Sequence, residues 1–163
     1  MIADPKSVIE SGLRYLPAKF DSIAARVMLH AIGLQESGFN ARRQYNNGPA
    51  AGFWQFERGG GVTGVLRHPA SAQHARMLCM KMGVTPEPLT IWTALQENDD
   101  LAVCFARLLL WTDNAPLPAA LTSNADRGWD YYVRNWRPGK PHPKAWPAHW
   151  RTALSAYQGD SDA

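Results

Sequence analysis

Cysteine is nearly absent. Cys79 and Cys104 are the only two in 163 residues. Two thiols are too few for a disulfide framework, and their spacing fits no zinc site. Both lie among apolar residues of helical periodicity and read as buried thiols, so the chain is expected to be made in a reducing cytoplasm. Charge is also scarce: Asp, Glu, Lys and Arg make up 19%, with a net charge of +3. That mildly basic balance suits an acidic or carboxylate-bearing partner. It lacks the Lys/Arg blocks of a dedicated nucleic-acid binder, and no nucleic-acid partner is expected. No stretch approaches the ~20 apolar residues of a membrane span. Residues 1–17 carry Asp4 and Glu10 and no apolar run, so they do not read as a secretory signal. The glycines at 59–61 are not followed by Gly-Lys-Ser/Thr and form no phosphate loop. His30, His68 and His74 share no metal spacing with a carboxylate, and no cofactor is expected.

What remains is a chain of 45% hydrophobic residues, enough to bury one core, read as a single domain over 1–163. Seven tryptophans are more than packing alone needs. Trp faces serve as platforms for the C–H faces of sugars.

The periodicity is mainly helical. Asp4-Pro5 is a helix start, and Pro17 is its stop. Asp21 is expected to cap a helix over residues 22–37 that is apolar almost all round, with only Arg26 and His30 as a polar stripe. Such a helix belongs at the centre of its domain. Gly38 supplies its C-terminal cap. In residues 40–64 seven positions are Gly or Pro, which allows a short hairpin or a structured loop. Further helices are expected over 70–81, from Pro86 to 95, after an Asn98 or Asp99 cap, near 119–121 and over 127–135. Residues 138–147 are rich in proline and should run extended over the surface. A last helix is expected over 149–157. The fold class is therefore mainly α: a helical bundle around a buried central helix, with a small β or loop element.

Glu36 stands at the last turn of the central helix. Apolar neighbours desolvate it, and the helix C-terminus presents partial negative charge; both raise its pKa. A carboxyl that stays protonated near neutral pH can protonate a glycosidic oxygen. The same position also suits a glutamate that merely faces solvent.

Residues 35–57 read QESGFNARRQYNNGPAAGFWQFE. This string resembles the lytic transglycosylase and goose-type lysozyme superfamily. That pattern has a Glu-Ser pair, then Phe-Asn, then a Gly-Ala-x-Gly-Leu-x-Gln segment. Glu36-Ser37, Phe39-Asn40 and Gly48-Pro49-Ala50-Ala51-Gly52-Phe53-Trp54-Gln55 fill those places, with one residue more between the two glycines than in the commonest form. The resemblance implies an α+β, lysozyme-like fold with the β or loop element beside an active-site cleft. It implies that Glu36 is the sole catalytic acid/base and that Ser37 orients it or the substrate's acetamido group. Gln55 would line the cleft, and Gly48 and Gly52 would let the backbone approach substrate. Of Phe53 and Trp54, one would pack inward and the other face a sugar, with a plain core role equally open for Trp54. The family's later Ala-Tyr-Asn-x-Gly motif, whose Tyr hydrogen-bonds the catalytic Glu, is absent in standard form. Its nearest counterpart is GWDYYVRNWRPG at 128–139, where Tyr132, or else Tyr131, would supply the hydroxyl.

The implied partner is a peptidoglycan glycan strand, cleaved at the β-1,4 bond between N-acetylmuramic acid and N-acetylglucosamine by a monomeric enzyme. One carboxylate suffices for a lytic transglycosylase. A hydrolytic lysozyme would use a second carboxylate at ~5–9.5 Å, for which Glu57, Asp130 and the Asp99-Asp100 pair are candidates, the last better explained as helix-start acids. A non-catalytic wall- or virion-binding protein is the other alternative. Arg42 and Arg43 could touch stem-peptide carboxylates or stay solvated. Trp129, Trp136, Trp146 and Trp150, with interspersed Arg and Lys, form an aromatic basic run. With no export signal in view, a phage origin is expected, with the protein in the virion or in host cytoplasm before release, acting on the bacterial wall.

Overall fold

In the computed structural model, which describes residues 1–160, the chain begins as its capping chemistry dictates. Asp4 accepts from the Ser7 backbone N–H at 3.0 Å, and α1 runs Pro5–Leu13. Pro17 leads into a 3-10 turn, Ala18–Phe20. α2 covers Ile23–Glu36, and Ser22, not Asp21, caps it by accepting from the Ala25 N–H at 3.1 Å. Asp21 is occupied elsewhere: Arg26 donates to both its oxygens, at 2.8 and 2.9 Å. A bidentate ion pair outcompetes a single cap bond. Gly38, at φ +61°, follows the helix end as expected.

Residues 40–64 form a loop and a minimal antiparallel pair. β1 (Ala50–Ala51) faces β2 (Phe56–Glu57), with Ala50 opposite Glu57 and Ala51 opposite Phe56. A π-type turn over Arg58–Val62 runs into α3 (Thr63–Arg67), followed by α4 (Ala72–Met82) and α5 (Pro88–Ala94). α5 opens at Pro88 and not Pro86, with Glu87 extended before it. A proline at the first helical position loses no hydrogen bond, and the second proline is the one so placed. Asn98 caps α6 (Asp99–Trp111), accepting from the Leu101 N–H at 2.9 Å.

The C-terminal third differs most from the expectation. No helix forms at 119–121; a 3-10 turn at Thr122–Asn124 leads into α7 (Ala125–Trp136). Nor does the proline-rich segment stay extended to its end. A turn at Pro143–Ala145 starts α8 (Trp146–Ala156), with Pro147 inside the first helical turn. Prolines are tolerated there because the first-turn N–H groups have no intrahelical partner. Trp146 and Trp150, four apart, then share one buried face.

Eight α-helices and one two-stranded sheet thus make up the described residues, a mainly α fold. α2 is its centre: Val27, Met28, Leu29, Ala31 and Ile32 are fully buried, and α1, α6 and α8 pack around it. His30 departs from the expected polar stripe. It is buried edge-on between the rings of Phe39 and Tyr157, and burial lowers its pKa to about 4, so it packs as a neutral ring. Gly33 permits the Phe39 ring to lie on α2, since any Cβ there would overlap it. Cys79 and Cys104 are free and buried, and burial pushes the Cys79 thiol up to about 11.

Candidate active site

α2 delivers Glu36 at its last turn, half-buried. The Tyr132 hydroxyl, from the middle of α7, donates to Glu36 Oε1 at 2.6 Å. Oε2 has no hydrogen-bond partner among the described residues, and it is not sealed from solvent. Desolvation pushes the Glu36 pKa up from 4.5 to about 7, and the Tyr132 hydrogen bond opposes part of that rise. No neighbouring charge acts on it appreciably. The carboxyl is therefore anchored at one oxygen, open at the other, and able to hold or release its proton near neutral pH. This is the condition required of a general acid that must later act as a base.

Tyr132 is itself positioned by aromatic packing. Its ring stacks on Trp146 with centroids 5.3 Å apart and planes within 8°. Trp129 and Trp136, one turn to either side along α7, pack against Tyr132 at 5.4 and 6.3 Å and remain half-buried. Beside Glu36, the Gln35 side chain bridges to the C-terminal region. Its Nε2 donates to the His142 carbonyl at 3.0 Å, and its Oε1 lies 2.8 Å from His149 Nδ1.

No protein-family model, curated protein or solved structure matches this chain.

The other expected site residues are placed as follows. Ser37 does not reach Glu36. Its hydroxyl donates to the Phe53 carbonyl at 2.7 Å and accepts from the Phe39 N–H at 3.1 Å, clamping the end of α2 to the 52–55 turn. Gly52, at φ +74°, faces inward: a Cβ there would come within 3.0 Å of the Leu95 carbonyl oxygen. Its glycine requirement is thus met by packing against α5 and α6, not by an approaching substrate. Gln55 folds back, its Nε2 donating to the Gly52 carbonyl at 2.8 Å. Phe53 and Trp54 are both fully buried, which removes either as a sugar platform. Trp54 Nε1–H donates to the Leu29 carbonyl at 2.8 Å, and its own carbonyl accepts from Trp136 Nε1–H at 3.0 Å. Tyr131 points away, donating toward the carbonyls of Leu110 and Ala115 at 3.1 and 3.0 Å.

Neither loop arginine is free. Arg42 pairs with both oxygens of Asp99 at 2.7 and 2.8 Å and lies over the Phe53 ring. Arg43 donates to Gln96 at 2.9 Å and lies over Trp92. Asp99 is therefore committed to Arg42. Glu57 is exposed on β2, and Asp130 is exposed on α7. Two surface cavities, of about 400 and 500 Å³, are lined by the turn after α1 with α4 and by α1 with the start of α6; neither borders Glu36. Among the described residues no cluster of three or more His, Cys, Asp or Glu could hold a metal, and no helix is long and apolar enough to cross a membrane.

Gln35 and His149 are not marked as site residues by the sequence, and Trp129, Trp136 and Trp146 are marked only as part of an aromatic basic run. The spacing of Trp129, Tyr132 and Trp136 marks one face of α7, but nothing local says that this face meets the end of α2.

Proposed function

We propose that this protein is a peptidoglycan lytic transglycosylase in which Glu36 acts first as acid and then as base. The observation that carries the reading is the Glu36 carboxyl itself, held at one oxygen by Tyr132, open at the other, and protonated into the neutral range. Glu36 donates its proton to the glycosidic oxygen as the bond from C1 of N-acetylmuramic acid breaks. The departing N-acetylglucosamine keeps that oxygen as its 4-hydroxyl. The acetamido carbonyl of the muramic residue shares the positive charge at C1. The Glu36 carboxylate then takes the proton of the C6 hydroxyl, and O6 bonds to C1, closing a 1,6-anhydro ring and restoring the acid. No water is consumed.

Two further features fit this reading. The carboxylates considered as a second catalytic group, Glu57 and Asp130, are exposed and neither hydrogen-bonds Glu36, and Asp99 is paired with Arg42, whereas a retaining or inverting hydrolase works with a carboxylate pair. The half-buried rings of Trp129 and Trp136 flank Tyr132 and offer apolar faces to a sugar strand.

The test is digestion of purified peptidoglycan by wild type and Glu36→Gln, followed by mass analysis of the products. Anhydro ends, lighter than reducing ends by one water, are expected from wild type alone. Reducing ends would replace this mechanism with hydrolysis, and an inert wild type would leave a wall-binding role.

A further inference from the structure

The turn after α1, at residues 15–17, and one face of α4 line a cavity of about 400 Å³, within the ~300–1,000 Å³ range of ligand pockets. Its buried lining is Leu16 and Leu78, with the exposed Pro17 beside them. Tyr15, Met77 and Met80 stand around it, exposed at 40%, 58% and 79%. Three large apolar side chains are thus turned outward at one place. Methionine in particular is unbranched and polarisable, and adapts to varied apolar partners.

The charged side chain in the cavity lining, Lys81, is a cation. Residues 11–20 and 72–86, which supply its lining, contain Arg14, Lys19, Arg76 and Lys81 and no Asp or Glu. All four cations are exposed. Lys81 lines the cavity, its Nζ donating to the Tyr15 carbonyl at 3.4 Å. Lys19 lies over the Phe20 ring, which meets the His74 ring of the cavity at 4.8 Å. The nearby Asp21 is already engaged by Arg26.

We propose that this cavity is a docking site for an acidic amphipathic helix of a partner protein, its apolar side chains seated between the turn after α1 and α4 and its carboxylates on Lys81 and the cations that neighbour the lining in sequence. Helix-in-groove recognition needs these two elements together, an apolar depression and complementary charge at its rim. A bilayer is a poorer fit, because the apolar groups surround a hollow instead of forming a wedge. Nucleic acid is poorer still, because the lining offers Tyr15 and the half-buried His74 and no row of rings for successive bases. None of the lining residues belongs to the Glu36 site, so the proposal stands independently of the enzymatic reading.

The test uses the full-length chain and a fluorescein-labelled helical peptide of about 15 residues, with Leu at i, i+4 and i+7 and Glu on the other face. A control peptide carries Lys in place of Glu. Fluorescence polarisation should show saturable binding of the acidic peptide, weakened roughly tenfold or more by Met80→Glu and by Lys81→Glu, and reduced by salt. Both substituted side chains are exposed, and circular dichroism should show unchanged folding. Equal binding of the two peptides, or indifference to both substitutions, would overturn the proposal. So would binding to phosphatidylglycerol vesicles through these residues with no binding of the acidic peptide.

Discussion

The ring of Tyr132 lies parallel to that of Trp146, 5.3 Å away, and this stack holds the hydroxyl that Glu36 accepts from. Trp146 is also tied at its other end, its Nε1–H donating to the Ala125 carbonyl at 2.7 Å. The start of α8 therefore fixes the middle of α7, which fixes the end of α2. Trp146→Ala should cost about 3–5 kcal/mol of stability and release the Tyr132 ring. Chemical denaturation measures the first. A fall in muralytic rate, larger than in a variant of equal stability altered far from α8, measures the second.

Glu36 links the site to stability through pH. Below its ordinary value of 4.5 the carboxyl is protonated whether folded or unfolded. Between 4.5 and about 7 the unfolded chain releases the proton while the folded protein keeps it, so stability falls as pH rises through that window. The loss is on the order of 3 kcal/mol, complete above about pH 7. Glu36→Gln keeps an acceptor for Tyr132 but cannot ionise. Urea unfolding near pH 8 should find it more stable than wild type by on the order of 1–3 kcal/mol, with the advantage gone near pH 4. Its muralytic rate should drop by roughly 10²–10⁴.

The two adjacent tyrosines separate chemistry from packing. The Tyr132 hydroxyl pulls the Glu36 pKa down, so Tyr132→Phe should push it above about 7 and move the alkaline limb of the rate profile to higher pH. The rate itself should fall, by roughly tenfold or more. Tyr131→Phe removes bonds to the Leu110 and Ala115 carbonyls and should cost about 1–2 kcal/mol. It should leave the pH profile where it was.

Ser37 predicts a different pattern. Ser37→Ala breaks the clamp between α2 and the 52–55 turn, leaving the Phe53 carbonyl without that donor. A loss of about 1–2 kcal/mol in thermal or urea unfolding is expected. The alkaline limb should not move, because the Ser37 hydroxyl makes no bond to Glu36.

Much of the helical framework is legible residue by residue. The Asp4-Pro5 start, the Asn98 cap and Gly38 after α2 depend on bonds within a few residues, and local chemistry decides them. Asp21 misleads because two local uses compete, a cap and an ion pair with Arg26, and sequence does not weigh one against the other. Gly48 and Gly52 mislead in another way. The sequence says a close approach is needed there but not by what, and at Gly52 it is the Leu95 carbonyl.

The sequence by itself determined that one apolar helix would be buried at the centre of a mainly α chain and end on Glu36, because the 3.6-residue period and the capping residues are local properties. Only the tertiary structure decided which hydroxyl Glu36 would meet. Tyr131 and Tyr132 are neighbours with the same chemistry, and the choice follows from the face of α7 that packs on Trp146, ninety-six residues along the chain from Glu36 to Tyr132. It also decided that Phe53 and Trp54 would both turn inward, since a buried ring and a sugar platform look alike until the neighbouring helices close over one of them.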